Sequence, residues 1–410
     1  MSVGTASIRL ARPGRALVET VRATSMPVRA FVLSRLLVLA TGALGVMTMT
    51  KHAPHHEAPD LLHQLGPVGN ALAGSVDRFD ANYYLDIASH GYGVASSGHL
   101  AFYPLYPLTI RVLSLLTGSG VLAGFLVSAV AFQAALILLH RLTELELGRR
   151  AADVTVLLFA FAPLSFFFTA VYTESLFLLL SVACVFAARQ GRWRLACGLG
   201  ALATLTRPTG IVLLVALVIT RVRTRGWFDR SLAWALALPA ALLGYMAFLA
   251  ASGYGWLASL QAQSGWSRVT PGPVAGLGAA IWAALRGLVS IARGGAVYHP
   301  ALLGPFSMRA ESVILLGVLT VMATATGVAL RRLPLAYGAY AGAVLLLCVS
   351  SPELGQPLWS LDRFALTLFP IWMVAGGWIA ARGWQRPALL VSSALLVFYT
   401  LQFSSWSFVA

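Results

Sequence analysis

The chain has few charged residues. Only 10% of its 410 residues are Asp, Glu, Lys or Arg, whereas 58% are hydrophobic, and the mean hydropathy is +0.79. A soluble globular enzyme is excluded, because about a quarter of the residues in such proteins are charged. A disordered chain is also excluded, since disorder requires low hydrophobicity. The composition therefore predicts one polytopic membrane domain over residues 1–410.

Lysine is almost absent, since Lys51 is the only lysine among 29 basic residues. The formal net charge of +15 would suggest nucleic-acid binding in a soluble protein. No aromatic–basic motif of an RNA-binding protein is present, however, so we expect no nucleic-acid partner. A composition rich in Ala and Arg and poor in Lys is typical of a GC-rich bacterial genome, and we expect a bacterial cell membrane protein.

The sequence also lacks the common cofactor motifs. The three cysteines lie inside apolar runs and show no pairing or CxxC spacing: Cys184, Cys197 and Cys348. No GxGxxG, Walker, GxSxG or DxD-type nucleotide-sugar loop is present, so a nucleotide donor has no visible binding loop. His52, His55, His56 and Glu57 could form a metal cluster. Their HxxHH spacing differs from the HExxH zinc pattern, so a bound metal is the weaker alternative to a loop without a metal. We expect no metal and no cofactor.

Apolar runs near the length of a bilayer crossing recur along the chain. They predict an all-α bundle of about eleven transmembrane helices, at residues 30–50, 120–140, 151–170, 174–188, 195–206, 208–220, 231–251, 310–330, 334–350, 362–381 and 387–407. One long helix would be a simpler interpretation of 195–220. The sequence Thr206-Arg207-Pro208-Thr209-Gly210 and the basic residues at both outer ends favour two helices.

The charge distribution predicts the sidedness of the bundle. With residues 1–28 in the cytoplasm, the inner side carries 20 basic and five acidic residues, and the outer side carries nine of each. Segments 51–119 and 252–309 are then external. In the first, residues 76–90 and 102–117 predict two short surface helices. In the second, residues 275–292 predict an amphipathic helix.

Acidic residues concentrate in the first external segment. Nine of the fourteen acids are external, and five of these lie in 51–119. Helical spacing would place Asp77, Asp80 and Tyr84 on one face, with Asp86 about 120° from Asp80. An acid that faces a cavity can act as a general base, but an acid at a solvated helix end also favours the helix dipole. The spacing alone leaves both interpretations open.

Other charged residues lie at predicted helix ends. Glu174 lies at the external start of a predicted helix, where it could cap the helix or contact a substrate. Arg207 lies between two short apolar helices and needs a partner or a wet cavity, for which an external anion is the natural choice. Arg363 could pair with its neighbour Asp362 or bind an anion. His99, near a Gly-Tyr-Gly turn, could be structural or contact a substrate.

Several of these stretches, taken in order, resemble the PIG-V family of mannosyltransferases. The resemblance rests on Phe79-Asp80-Ala81, Tyr83-Tyr84-Leu85, Gly91-Tyr92, Leu100-Ala101-Phe102-Tyr103-Pro104-Leu105-Tyr106-Pro107, Thr173-Glu174-Ser175-Leu176-Phe177, Gly191-Arg192-Trp193, Ala201-Leu202-Ala203-Thr204-Leu205-Thr206-Arg207-Pro208-Thr209-Gly210, Asp362-Arg363-Phe364 and Phe369-Pro370. Each motif alone is weak, but the ordered set over residues 79–370 is fairly specific. The family usually has tryptophan where this chain has Phe79, a change that leaves the acid in place. Residues 371–410 carry no motif.

The resemblance implies a GT-C architecture with two surface helices in the first external loop. It also implies a polyprenyl-phosphate mannose donor, an inverting transfer and no metal. Its loop acid matches Asp80, which becomes the candidate base, with Arg363 and Arg207 as candidate phosphate ligands. Tyr84, His99 and Glu174 are weaker candidates for contacts with the sugar or the acceptor. We expect membrane lipids and a glycolipid, lipoglycan or protein acceptor as partners, and an active site that faces outside.

Two rival functions come from other classes. A lipid-linked sugar transporter, or flippase, without transferase activity would explain the spans and the internal arginines. It would not explain the acids on an external loop, and the sequence shows no inverted repeat of the kind that transporters contain. A membrane scaffold without catalytic activity would leave Arg207 unexplained.

Overall fold

The structure is a computed structural model that describes residues 13–49, 66–93, 97–298 and 305–409. Within these ranges the secondary structure is helical, apart from turns and two isolated β-bridges, Arg268 with Glu353 and Tyr298 with Phe306. The predicted all-α fold class is therefore confirmed. The histidine cluster at His52, His55 and His56 lies outside the described residues.

The described part of the chain contains seventeen α-helices. They are α1 Pro13–Met49, α2 Gly66–Val76, α3 Ala81–His90, α4 Leu105–Thr117, α5 Gly120–Leu147, α6 Arg149–Ala160, α7 Glu174–Arg189, α8 Trp193–Thr206, α9 Leu213–Arg225, α10 Ala237–Ala251, α11 Ala258–Gln261, α12 Pro273–Ala292, α13 Met308–Arg332, α14 Leu335–Ser350, α15 Leu361–Leu366, α16 Phe369–Arg382 and α17 Gln385–Ser404. The centre of the bundle is formed by α5, which packs against α1, α4, α6 and α7.

Six helical segments in the described part of the chain are long and apolar enough to cross a membrane. They are Ser25–Thr48, Gly120–Leu147, Arg230–Ala251, Pro273–Ala292, Met308–Arg332 and Gln385–Ser404. Most other predicted spans correspond to helices of 12 to 16 residues. Helix α12 matches the amphipathic helix predicted at 275–292, although its length and composition would also allow a crossing.

The predicted span 151–170 is wrong in its second half. Helix α6 ends at Ala160, three residues before Pro163, and a buried irregular segment with one 3₁₀ turn follows. Arg35 of α1 donates to the carbonyl oxygens of Ala160 at 3.0 Å and Ser165 at 2.7 Å. Backbone groups inside a membrane protein need such internal partners because no water reaches them. Arg35, one of the 20 basic residues assigned to the inner side by the charge distribution, is thus buried in the bundle and is not a surface charge.

The predicted surface helix 76–90 is shorter than expected, since it is α3 and begins only at Ala81. Helix α2 ends at Val76 and α3 begins at Ala81, because Phe79 between them has φ +52° and cannot continue a right-handed helix. Asp77 therefore lies outside α3 and does not share a helical face with Tyr84, as the spacing had suggested. Asp80 directly precedes the helix with helical φ and ψ angles, and its carbonyl oxygen accepts from the backbone N–H of Tyr84 at 3.4 Å, which agrees with the predicted spacing of these two residues. The second predicted surface helix is α4, which begins directly after Pro104.

The predicted break at Arg207 is confirmed. Helix α8 ends at Thr206, Arg207 is extended, and a 3₁₀ turn begins at Pro208. The turn folds back so tightly that a Cβ atom on Gly210 would lie 2.4 Å from the backbone nitrogen of Thr204. Glycine is therefore needed there to present Arg207 between the two helices.

The predicted span 362–381 is also divided. Arg363 lies on the short helix α15, and α16 begins at Phe369 with Pro370 in its first turn. A proline fits the first turn of a helix but not its interior, which explains why the chain starts a new helix here. The result is that Arg363 projects from a separate short element at one end of the bundle.

Candidate active site

Four charged side chains from four distant segments form one chain of ion pairs. Nη1 of Arg363 lies 2.7 Å from Oδ2 of Asp80, and Nε of Arg363 lies 2.6 Å from Oε1 of Glu174. Nη2 of Arg207 donates to the same Oε1 of Glu174 at 2.9 Å. The order in space is Asp80, Arg363, Glu174, Arg207. We call these four residues the ion-pair chain.

Burial increases from Asp80 towards Glu174. Glu174 is fully buried, Arg363 and Arg207 are 6% and 8% exposed, and the side chain of Asp80 is 22% exposed. The two positive and two negative charges balance, which a buried ionic group requires. Asp80 is the most exposed member, and its Oδ1 has no hydrogen-bond partner among the described residues. This oxygen is therefore free to accept a proton or a hydrogen bond from a ligand.

The arginines also keep donors available. Arg207 uses only Nη2, and Arg363 uses Nε and Nη1, in the contacts with Glu174 and Asp80. Nε and Nη1 of Arg207 and Nη2 of Arg363 have no hydrogen-bond partner in the described part of the chain. Guanidinium N–H groups are strong donors to phosphate oxygens. The arrangement thus places an open carboxylate oxygen and several unused cationic donors around one centre.

Tyr172 fixes the inner side of this centre. Its hydroxyl accepts a hydrogen bond from the backbone N–H of Asp80 at 3.1 Å and donates to the carbonyl oxygen of Arg78 at 3.0 Å. The guanidinium carbon of Arg363 lies 4.7 Å from the centre of the Tyr172 ring, a cation–π contact. The sequence analysis did not single out Tyr172, although its position two residues before Glu174 was a usable signal.

Three aromatic residues near the end of the chain hold the backbone before Asp80. The ring of Phe79 lies 5.6 Å from Phe403, 5.3 Å from Trp406 and 5.3 Å from Phe408, measured between ring centres. We call Phe403, Trp406 and Phe408 the tail cluster. The sequence analysis found no motif in 371–410, yet this segment contacts the residue next to the candidate base.

The tail cluster also reaches the segment before Arg363. Phe408 stacks on Trp359 with ring centres 5.0 Å apart, and Trp359 is followed by Ser360, which has φ +63°. Beside it, Nε of Arg78 donates to the carbonyl oxygen of Ser404, and its guanidinium carbon lies 4.6 Å from the Trp406 ring centre. The segment before Asp80 and the segment before Arg363 therefore both pack against the tail cluster.

The remaining predicted residues lie beside the ion-pair chain. Tyr84 is buried, and its hydroxyl lies 3.3 Å from that of Thr173, the residue before Glu174. Nε2 of His99 lies 2.7 Å from a carboxylate oxygen of Asp86. Neither Tyr84 nor His99 forms a salt bridge or hydrogen bond with the four residues, and their roles as ligand contacts stay predictions.

Tyr83 connects His99 to the candidate base. Its ring meets the His99 ring edge-on at 5.0 Å and stacks on Phe102 at 4.6 Å. Burial and the nearby Asp80 carboxylate raise the pKa of the Tyr83 hydroxyl, so this group stays protonated at neutral pH. It is a half-buried donor near Asp80. In the described residues no three His, Cys, Asp or Glu side chains are grouped to hold a metal ion.

Residues 27–250, more than half of the chain, match the family model described as Mannosyltransferase (PIG-V). The chain belongs to this mannosyltransferase family. The matched region contains Asp80, Glu174 and Arg207, whereas Arg363 lies beyond it. The resemblance that the sequence motifs indicated is thus confirmed.

The chain is similar in sequence to curated proteins that share one name. The GPI alpha-1,6-mannosyltransferase 2 of Cricetulus griseus is 31% identical over 213 residues, which cover 48% of this chain and 42% of that protein. The Homo sapiens protein of the same name is 32% identical over 192 residues, covering 43% of this chain and 38% of that protein. The matches therefore span less than half the length of these relatives.

Solved structures give weaker likenesses. ArnT from Cupriavidus metallidurans bound to undecaprenyl phosphate superposes with a TM-score of 0.49 at 15% identity, covering 92% of this chain and 76% of ArnT. The Archaeoglobus fulgidus oligosaccharyltransferase complex with Zn and sulfate gives 0.44 at 12% identity, covering 92% and 53%.

Proposed function

We propose that the chain is an inverting mannosyltransferase of a bacterial cell membrane, with a GT-C architecture. It transfers mannose from a polyprenyl-phosphate donor to a glycolipid, lipoglycan or protein acceptor on the external face. Membership of the mannosyltransferase family supports the sugar and the reaction type. The observation that carries the proposal is the ion pair between the partly exposed Asp80 and the buried Arg363.

Asp80 is the proposed general base. A sugar linked to phosphate already has a good leaving group, so little acid catalysis is needed. One carboxylate then suffices to take the proton from the acceptor hydroxyl as that oxygen attacks the anomeric carbon from the face opposite the phosphate. A glycoside hydrolase needs two carboxyl groups at a set distance instead. The unpartnered Oδ1 of Asp80 is the atom that receives the proton.

Arg363 and Arg207 are the proposed phosphate ligands. As the glycosidic bond breaks, negative charge grows on the phosphate, and fixed guanidinium groups stabilise it. Arg363 contacts Asp80 through Nη1 and keeps Nη2 for the phosphate, so one guanidinium serves both the base and the leaving group. The same donors allow the reaction to proceed without a metal ion, because they neutralise the leaving group's charge.

Glu174 is proposed to position the two arginines. It is fully buried, and one of its oxygens accepts from both guanidinium groups. Two cations this close would repel each other in a buried site unless a carboxylate lay between them. Glu174 thus holds Arg207 and Arg363 at a fixed separation, a role beyond the cap or substrate contact that its sequence position suggested.

The donor assay tests this function. Purified protein in detergent receives labelled polyprenyl-phosphate mannose or GDP-mannose, together with envelope glycolipids, with and without EDTA. We expect transfer from the lipid donor alone, unaffected by EDTA. Efficient transfer from GDP-mannose, or loss of activity on chelation that manganese restores, would overturn the donor assignment. Movement of the lipid donor between leaflets without sugar transfer would favour a transporter.

A further inference from the structure

A second site lies away from the ion-pair chain, in a groove of about 550 Å³ between α12 and the start of α13. Three arginines line it. Arg286 lies on α12, Arg293 is the C-cap residue directly after that helix, and Arg309 is the second residue of α13. All three side chains are exposed. The groove therefore presents three cationic groups to one small volume.

None of these three arginines forms a salt bridge with a carboxylate in the described part of the chain, whereas Arg189, Arg207, Arg221 and Arg363 each do. The acid nearest to them in sequence is the half-buried Glu311, two residues after Arg309, so the three cations outnumber it. The N-terminus of α13 adds its own partial positive charge beside Arg309. An anion is the ligand that this field favours.

The other wall of the groove is apolar. Trp282, Leu285 and Val289 line it and are 63%, 49% and 50% exposed. The exposed apolar surface of α12 continues from there to Leu277 and Ile281. An apolar wall does not stabilise a small hydrated anion. A hydrocarbon chain that packs against this wall leaves water, and that burial is favourable. The groove thus combines a cationic end with an apolar flank, which is the chemistry of an anionic lipid.

We propose that this groove binds an anionic phospholipid. Its phosphate lies among Arg286, Arg293 and Arg309, and an acyl chain follows Trp282 and the apolar face of α12. The start of α13 lies at the same end of the bundle as α15, because the two helices pack together and Glu311 in the first turn of α13 is close to Asp362 of α15. The bound lipid headgroup is therefore at the level of Arg363. The site does not depend on the proposed transferase reaction.

Native mass spectrometry of the purified protein tests this site. Protein is exchanged into detergent that contains equal phosphatidylglycerol and phosphatidylcholine, and retained lipid is measured over a titration. Wild type should retain phosphatidylglycerol preferentially. Each arginine replaced by glutamine should weaken its retention by about fivefold, since one basic residue near an anionic lipid contributes about 1 kcal/mol. The variant R286Q/R293Q/R309Q should show no preference.

The matched control is R331Q/R332Q, which removes two arginines from the opposite end of α13 and should keep the preference. If the triple variant does not fold, the single variants R286Q and R293Q must each lower retention. The proposal is overturned by equal retention of both lipids in wild type, by an unchanged preference in the variants, or by an equal loss in the control. Displacement of the lipid by inorganic phosphate alone at similar concentration would also overturn it. No transfer activity is measured, so failure of the proposed function leaves this result interpretable.

Discussion

The ring of Trp406 meets the ring of Phe79 edge-on, with the ring centres 5.3 Å apart, directly before the candidate base Asp80. Phe79 has φ +52°, a conformation that costs a non-glycine residue about 1–2 kcal/mol. Such strain persists only where the surrounding structure holds it in place. The tail cluster packs against Phe79 and so holds the backbone that positions Asp80.

Replacing Trp406 by alanine should therefore reduce kcat more than it changes the KM for the donor. The loss removes the edge contact with Phe79 and the cation–π contact with Arg78, but it touches neither Arg207 nor Arg363. W406F keeps a ring at this position and should restore most of the rate. Kinetics and thermal unfolding of the two variants measure the effect.

The control is Trp384→Ala, because Trp384 is 55% exposed and pairs only with Trp378 among the aromatic residues described. We expect it to leave kcat close to that of wild type. An unchanged kcat in W406A would show that Phe79 does not need the tail cluster. A W406F variant as slow as W406A would lead to the same conclusion.

The Asp80→Asn variant should insert and bind donor but lose turnover. Loss of a general base typically costs ~10²–10⁴-fold in rate. Asp86→Asn is the matched control in the same helical region, since Asp86 is half exposed and contacts His90 and His99 instead of the ion-pair chain. Its effect should be much milder. Activity near the wild-type level in Asp80→Asn would remove the base assignment.

The Glu174→Gln variant should unfold at a markedly lower temperature than wild type. Glutamine keeps the shape but removes the carboxylate that the two guanidinium groups share, which leaves Arg207 without a salt bridge and Arg363 with Asp80 alone. Breaking a buried pair from one side typically costs about 3–5 kcal/mol. Glu146→Gln is the comparison, because its partner Arg189 is 32% exposed and can be hydrated. Equal destabilisation of the two variants would argue against a positioning role for Glu174.

The members of the ion-pair chain were predictable one by one. Glu174, Arg207 and Arg363 are charges at the ends of apolar runs, where an ionisable residue is costly, and Asp80 lies in an acidic stretch. Their pairing was not predictable. From sequence, an external anion was the natural partner for Arg207, and Arg363 was expected to pair with Asp362 or to bind an anion. The actual partners come together only when α7, the turn after α8 and α15 pack at one end of the bundle.

The helix boundaries that were missed have long-range causes. Phenylalanine carries no signal for a left-handed turn, so the split between α2 and α3 at Phe79 depends on aromatic residues near the end of the chain. The early end of α6 could have been suspected from Pro163. The buried irregular segment that follows is tolerated because Arg35 of α1 satisfies its carbonyl groups, which local sequence does not reveal.

The sidedness is a prediction that cysteine labelling can test. Val68, in α2, and Ser264, in the second long external segment, are both exposed. Single cysteines at these positions should react with an impermeant thiol reagent in intact cells, because the positive-inside rule places both segments outside. A cysteine at Arg225, the last residue of α9 in its basic C-terminal turn, is the inner control. Labelling of Val68→Cys and Ser264→Cys only after lysis would reverse the topology.

The two arginines should differ in their kinetic effects. Arg363 forms salt bridges with Asp80 and Glu174, whereas the one salt bridge of Arg207 in the described residues is with Glu174. Arg363→Ala should therefore lower kcat strongly, because it removes a phosphate donor and releases the base from its partner. Arg207→Ala should mainly raise the donor KM. Initial rates over a range of donor concentrations separate the two quantities.

Lysine variants make this test sharper. Lys presents one compact ammonium group, while Arg363 donates from Nε and Nη1 to two different carboxylates and keeps Nη2 for a ligand. Arg363→Lys should consequently recover little of the lost rate, although the charge is kept. Arg207→Lys, which replaces a single carboxylate contact, should recover donor binding to a larger extent. Full rescue by Arg363→Lys would mean that charge alone is needed there, and the geometric role given to the guanidinium between base and phosphate would be wrong.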